Sequence, residues 1–509
     1  MAPSHSEVER KYDVPDDVDV PGLDQVPGVE RVHTQDIELE ATYFDTDSLD
    51  LAAAGITLRR RTGGDDEGWH LKLPSKRADE RHELRLPLSR AVKTPPKPWR
   101  DTVLVHTRGR TLKPVADIRT HRTMHALHGA DGQVLAYFCD DSVTAPTPAP
   151  SDTGLLVAWR EWEVELADGP ADLLDTADGL VREAGAAPAA GPSKLARVLG
   201  DRIPREDGDA PARQRAKGPA AAVVLARLKE QLAEMKRLDA QVRLNLPDSV
   251  HNMRVAMRRL RSALATFRPL LDREVSEPLR DELRWVSRVL GDARDAEVMH
   301  ERLRAMVAAE PPELVLGGVV QRIDFDLGRR YREAHEKSLE ALRSDRYFTL
   351  VDGLEALVND PPWTDKALEP VRDVLPGRMR NDWKRLRRRV DAADMAGEDD
   401  RDVRLHEARK AAKRVRYAAE SLEPSYGKDA ERFARAAKKV QSALGEHQDS
   451  VVTLPVLRQL GVQAYLDGDN GFTFGRLHGL EQARAQETLG TFAAAWEDID
   501  RKALRRWFS

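Results

Sequence analysis

One pattern, written twice, limits what the second half of this chain can become. The first copy runs from His251 through Arg254 and Arg258 to Arg261, the second from His406 through Arg409 and Lys413 to Arg416. In both, basic residues stand three, seven and ten positions after the histidine. At roughly 100° per residue, those four positions fall within about 80° of one helix face. The opposite face is apolar: Met253, Leu260, Leu264 and Phe267 in one copy, Ala408, Val415, Ala419 and Leu422 in the other. Each copy therefore reads as an amphipathic helix with a cationic front. The likeness continues, because Leu290-Gly-Asp-Ala-Arg294-Asp295 and Leu444-Gly-Glu-His447-Gln-Asp449 each follow their histidine by about forty residues. A helical unit has been duplicated.

A charged helix face is ordinarily solvated, but such faces mix signs at i,i+4 spacing. Residues 251 to 268 hold five arginines and no acid. That face repels itself unless an anion neutralises it. Metal ligation by the histidines is disfavoured, since no Cys, Asp or second His stands at i+3 or i+4. From Ala220 onward the period is 3.6, with helices expected near 219–245, 248–270, 273–291, 293–309, 312–342, 345–358, 365–393, 402–423, 427–445, 448–460 and 473–506. Ser249 is a candidate N-cap. Short connections imply packed bundles. The basic blocks Arg378 to Arg389 and Arg329 to Arg332 would extend the patch.

Before residue 200 the period is two, the mark of strands. Glu7, Glu9 and Lys11 share one face; Arg59 and Arg61 share another; His70 and Lys72 oppose Trp69, Leu71 and Leu73. Arg81 to Leu86 repeats the scheme, Arg119 and Arg122 follow, and Gln133 to Asp141 ends in an Asp140-Asp141 pair. Finally Glu161, Glu163 and Glu165 oppose Trp162, Val164 and Leu166. An antiparallel sheet with one wet face explains most alternation of this kind. Here the polar face is almost wholly Arg, Lys, Glu and Asp. Closing the sheet would turn it into a polar lumen, and a charged outer face is the competing arrangement. A lumen with both signs suits a metal-chelated polyphosphate, with cations on phosphate oxygens and carboxylates on Mg²⁺ or Mn²⁺.

The ordered set Glu7-x-Glu9-x-Lys11, Tyr43-Phe-Asp45-Thr46, Leu58-Arg59-Arg60-Arg61, Leu71-Lys72, Arg119-x-x-Arg122, the Asp140 strand, Glu161-Trp-Glu163-Val-Glu165 and Pro192-Ser193-Lys194 resembles the CYTH family, the triphosphate tunnel metalloenzymes. That resemblance implies an eight-stranded antiparallel β-barrel tunnel with flanking helices that binds triphosphates with divalent metal. Members include thiamine, inorganic and RNA triphosphatases and class IV adenylyl cyclases. Carried across, Glu7, Glu9, Asp140, Glu161, Glu163 and Glu165 would be metal ligands. Glu7, Glu9, Lys11 and Glu163 would be catalytic. Lys11, Arg59, Arg61, Lys72, Arg119, Arg122 and Lys194 would clasp phosphate. Arg119 and Arg122 are three apart, so both face the lumen only if the strand carries a bulge.

The duplicated helix resembles the CHAD domain, the conserved-histidine α-helical domain. That resemblance implies that His251, Arg254, Arg258, Arg261, His406, Arg409, Lys413 and Arg416 bind inorganic polyphosphate. A polyanion without bases fits a basic face lacking stacking aromatics apart from Tyr417, and nucleic acid is the weaker alternative. The expected organisation is α+β: a tunnel domain over 1–203, a Pro- and Gly-bearing linker over 204–218, and an all-α duplicated helical bundle over 219–509. Net charge is −5 because acidic segments offset the basic helices. With one cysteine, Cys139, no internal disulfide forms, and no apolar run reaches the ~20 residues of a membrane span. The expected location is the cytoplasm, at polyphosphate granules. The expected activity is metal-dependent hydrolysis of a triphosphate or short polyphosphate. A non-catalytic polyphosphate-binding protein is the alternative, and adenylyl cyclase a weaker one.

Overall fold

The computed structural model describes residues 4–75, 80–90, 92–146, 156–204 and 218–508, with side chains described from residue 8 onward. The chain divides into two compact units, 1–208 and 209–509. All but the ends of the proposed 204–218 linker lies outside the described residues.

The first unit is a closed antiparallel barrel of eight strands: β1 (Ser4–Asp13), β2 (Arg31–Asp45), β3 (Thr57–Thr62), β4 (Gly68–Pro74), β5 (Glu80–Leu86), β6 (Lys113–His128), β7 (Val134–Pro146) and β8 (Leu156–Leu166). The order is β5-β4-β3-β2-β6-β7-β8-β1, and β1 closes the ring by pairing with β5 at its start and β8 at its end. A ninth strand, β9 (Ala187–Pro188), adds to β1. Closure leaves no free edge and commits one residue in two to the lumen.

The outer face is apolar where helices cover it. Tyr12, Phe138, Trp162 and Val164 pack with Leu173, Leu174, Ala177 and Val181 of a helix at Leu173–Glu183. Fully burying side chains of this size contributes about 1.5–3 kcal/mol each. Residues 31–42 form most of β2; Arg31 to Asp36 is exposed on nearly every position, so no alternation betrays the strand. β7 runs on to Pro146, paired with Leu156.

The helices are α1 (Asp50–Ala53), α2 (Lys97–Thr102), α3 (Leu104–Thr107), α4 (Leu173–Glu183) and α5 (Lys194–Leu199) in the first unit. In the second they are α6 (Ala220–Arg243), α7 (Ser249–Thr266), α8 (Arg273–Ala308), α9 (Val319–Leu342), α10 (Asp345–Asn359), α11 (Asp365–Leu368), α12 (Val371–Asp394), α13 (Glu398–Tyr426), α14 (Lys428–Leu466), α15 (Phe472–Ile499) and α16 (Lys502–Arg505). Consecutive helices pack together in α6–α9 and again in α12–α15, and α7 packs on α13. The halves are stitched by reciprocal bonds, Ala220 N to Glu369 O at 2.9 Å and Val371 N to Gly218 O at 3.0 Å. Met253, Leu260, Leu264, Phe267, Ala408, Val415, Ala419 and Leu422 are all buried.

The breaks expected at 291–293 and 445–448 do not exist; α8 and α14 run straight through. Each carries a glycine beneath an arginine. A Cβ at Gly291 would stand 3.4 Å from the Arg254 guanidinium, and one at Gly445 3.5 Å from that of Arg409. Ser249 does not cap α7. Asp248, with φ of 56°, precedes the helix and makes no side-chain cap, while Ser249 is its first residue.

Candidate functional site

Alternation around the closed barrel delivers a charged lumen. Glu9, Lys11, Arg59, Arg61, Lys72, Arg122, Glu163, Glu165 and Lys194 line one cavity, joined by Asp66, Arg81 and Arg85. Strand register explains the pairs: Lys11 lies opposite Glu163, Glu9 opposite Glu165, and Arg122 opposite Asp141. Lys194 arrives differently, at the first turn of α5. Ser193 caps that helix by accepting from Ala196 N at 3.1 Å, which fixes where the ammonium enters.

At the centre, Lys194 Nζ stands 2.8 Å from Asp141, 2.7 Å from Glu161 and 2.8 Å from Glu163. Arg122 makes a bidentate pair with Asp141 at 2.7 and 2.6 Å and reaches Glu163 at 2.6 Å. Lys11 pairs with Glu163 and lies 3.1 Å from Glu9. Burial opposes ionisation of Glu163, yet Lys11, Lys194 and Arg122 hold its carboxyl well below the usual range. Burial likewise works against the charged Lys194, but Asp141, Glu163 and Glu161 hold its ammonium well above the ordinary value. On the far wall, burial and then Arg59 and Arg122 press the Arg61 guanidinium downward. His70 is fully enclosed, bonded to Glu83 and the Asp66 carbonyl at 2.9 Å each. Burial pushes its pKa down to about 4, against the raising effect of the Glu83 hydrogen bond.

Two expected lumen residues face outward. Arg119 has a side chain 77% exposed and pairs with Glu40 on the outer surface, whereas the Arg122 side chain is 15% exposed. The strand carries no bulge between them, so their odd spacing separates them. Asp140 pairs externally with Arg160 at 2.7 Å. Its neighbour Asp141, opposite Glu161 in register, turns inward instead. Glu7 pairs in register with Arg81, and its side chain lies outside the described residues. Sequence reasoning also passed over Glu83, which is buried between His70, Lys72, Arg59 and Arg85. Its alternation with Arg81 and Arg85 was the available signal.

Asp141, Glu161 and Glu163 are buried and offer oxygens within 4.8 Å of one another. An all-carboxylate oxygen set of this kind fits a hard divalent cation. Their present partner, the Lys194 ammonium, shows that the cluster is built to hold positive charge.

The helical unit assembles a second cationic site. Arg254 donates to Gly291 O at 3.3 Å and to Asp295 at 3.2 Å, while Arg409 stands 3.6 Å from Asp449 over Gly445. The two copies thus build the same Arg–Gly–Asp arrangement. Arg254, Arg258 and Arg261 line a groove with Arg284, Ser287 and Arg288 of α8, none of which the repeat singled out. Lys413 of α13 lies amid the same charges: burial, then Arg409 and Arg258, push its pKa down to about 7. His251 and His406 are each pushed below the ordinary histidine value, by burial first and then by Arg294 and by Lys410. Arg416 is different, neutralised by Glu420 at 2.6 Å.

Fold and sequence together define a protein built from a CYTH domain, matched over residues 5–197, and a CHAD domain, matched over residues 226–458. The chain belongs to the family of proteins that join the two. Among its relatives are two proteins of Mycobacterium tuberculosis, strains CDC 1551 / Oshkosh and ATCC 25618 / H37Rv, described as uncharacterized proteins MT2285 and Rv2226. Each is 41% identical over 514 residues, spanning 99% of this chain and 98% of the relative. Solved structures similar to parts of it include PptA from Streptomyces chartreusis, 22% identical over 55% of this chain and 99% of that one, TM-score 0.46. The CHAD domain from the plant Ricinus communis is 25% identical over 59% of this chain and 97% of that one, TM-score 0.40. Among the described residues, no helix is long and apolar enough to cross a membrane.

Proposed function

We propose that the barrel hydrolyses a triphosphate or short inorganic polyphosphate with Mg²⁺ or Mn²⁺, and that the helical domain binds inorganic polyphosphate. The observation that carries this reading is the density of cationic groups converging on the lumen. Eight cationic side chains (Lys11, Arg59, Arg61, Lys72, Arg81, Arg85, Arg122 and Lys194) line the cavity with Glu9, Asp66, Glu163 and Glu165, while Asp141, Glu161 and Glu83 pair with several of them. Such a set suits the oxygens of a condensed phosphate. Lys11, Arg59, Arg61, Lys72, Arg122 and Lys194 would hold its oxygens, and positioning with charge stabilisation is most of what phosphoryl transfer requires. Asp141, Glu161 and Glu163, with Glu9 and Glu165 beside them, would hold the divalent ion. When bound, that ion supplies Lewis-acid stabilisation of phosphoryl charge. In the helical domain, Arg254, Arg258, Arg261, Arg409 and Lys413, flanked by His251 and His406, would track a polyanion, while Arg416 is held by Glu420.

A binding-only barrel is favoured by one observation. Asp141, Glu161 and Glu163 are already neutralised by Lys194, Arg122 and Lys11. Phosphate release from tripolyphosphate, thiamine triphosphate, ATP and long-chain polyphosphate, each with Mg²⁺ and Mn²⁺, separates the readings. Turnover of at least one supports hydrolysis. Binding of all without turnover leaves the carrier, and cyclic AMP from ATP would replace both with a cyclase.

A further inference from the structure

The duplicated helices are alike in fold but not in charge. The offset from His251 to His406, 155 positions, carries Arg261 onto Arg416, Ala265 onto Glu420, Arg268 onto Glu423 and Arg259 onto Arg414. In the second half, Glu420 is an internal counter-anion. Its carboxylate takes Arg416 Nε at 2.6 Å and Arg259 Nη2 at 3.1 Å, with Arg227 Nη2 at 3.6 Å.

In the first half a methyl group stands in that place. Ala265 lines a pocket with Arg268, Arg280, Arg378, Arg385 and Arg414, and the one acid there is Asp382. Asp382 is already engaged, by Thr266 Oγ1 at 2.7 Å and Arg414 Nε at 2.6 Å. Arg268 and Arg280 share Glu277 at 2.8 and 2.6 Å. Arg378 and Arg385 have no ion-pair or hydrogen-bond partner among the described residues, and Arg378 Nε is buried without one. Burial and then the neighbouring Arg414 and Arg389 lower the pKa of Arg385. Asp382 and Glu407 oppose that lowering in part, but five arginines around one lining carboxylate leave positive charge in excess, and planar guanidinium groups suit tetrahedral oxyanions.

We propose that the pocket left open beside Ala265 binds one tetrahedral oxyanion, held by Arg378 and Arg385, in the role that Glu420 fills internally in the other half. The anion is orthophosphate or the phosphoryl end of a condensed phosphate. Every residue of the site belongs to the helical unit, so it neither requires nor implies turnover in the barrel.

The test is Ala265→Glu in the full chain, which gives the first half the carboxylate the second already has. Equilibrium dialysis against inorganic phosphate counts sites in wild type and variant. The expected result is one site fewer, or an affinity at least tenfold weaker at that site, with unchanged circular dichroism. A parallel titration with long-chain polyphosphate identifies the source. Unchanged polymer affinity assigns the site to free phosphate, and a loss of threefold or more assigns it to a chain end. The double variant Arg378→Gln, Arg385→Gln gives the same reading should Ala265→Glu fail to fold. Equal site numbers and affinities in wild type and whichever folded variant is measured overturn the proposal.

Discussion

Lys413 makes the polyphosphate reading testable through protons. In the free protein its pKa is pushed down to about 7 by burial and then by Arg409 and Arg258, with Asp449 pulling the other way. A polyanion seated on α7 and α13 cancels the repulsion and returns the ammonium toward its ordinary value. Above pH 7 the free lysine is neutral, so binding must take up a proton; below pH 7 it is already charged and binding takes up none. At pH 8 the uptake is about 0.9 proton per site, and affinity falls by up to about tenfold per pH unit between 7 and 9. His251 and His406, with lowered pKa values, stay neutral across that window and contribute nothing. The surrounding arginines stay charged. Calorimetric titration with long-chain polyphosphate, at pH 8 in two buffers of different ionisation heat and fixed ionic strength, reads the uptake directly. Lys413→Arg keeps the charge and removes the titration, so binding persists with the pH slope flattened. Zero uptake at pH 8, or equal uptake in wild type and Lys413→Arg, refutes the reasoning.

Neighbouring positions on β6 should respond in opposite ways. Arg122→Ala leaves the buried carboxylates of Asp141 and Glu163 short of a partner and costs about 3–5 kcal/mol of stability, whereas Arg119→Ala changes stability by less than about 0.5 kcal/mol; thermal unfolding of both variants checks the contrast. Ser193→Ala removes the cap that sets Lys194, with an expected loss of about 1 kcal/mol and a raised KM for triphosphate at nearly unchanged kcat. Burial pushes the Cys139 thiol up to about 12, so iodoacetamide at pH 8 should label the unfolded chain and leave the native one unmodified.

How much was legible follows from what each residue pattern encodes. Alternation placed Glu9, Lys11, Arg59, Arg61, Lys72, Glu163 and Glu165 on lumen faces because period two is a property of a single strand. It failed at Asp140-Asp141, where both registers read equally well and only the pairing of Asp141 with Glu161 decides. It failed again over Arg31 to Asp36, whose two faces are similarly exposed. In the helical half, the three, seven, ten spacing located the basic rows but not Arg284 or Arg288, which reach the groove from another helix. The breaks expected at 291–293 and 445–448 are absent: Gly291 and Gly445 lie inside unbroken helices, with the Arg254 and Arg409 guanidinium groups over them. The asymmetry between Ala265 and Glu420 was present in the sequence. It gains meaning only once each is seen against its own group of arginines.

The most direct measurement is phosphate release from tripolyphosphate by the purified chain, with Mg²⁺, with Mn²⁺ and with chelator, for wild type and Glu163→Gln. Glu163 faces Lys11, Lys194 and Arg122 at once, so the isosteric change removes the charge on which that cluster converges. The account predicts metal-dependent release by wild type, abolished by chelator and slowed at least about 100-fold in Glu163→Gln, a loss of about 2.7 kcal/mol in transition-state stabilisation. Equal rates in the two proteins, or no release by wild type with either metal, would contradict it.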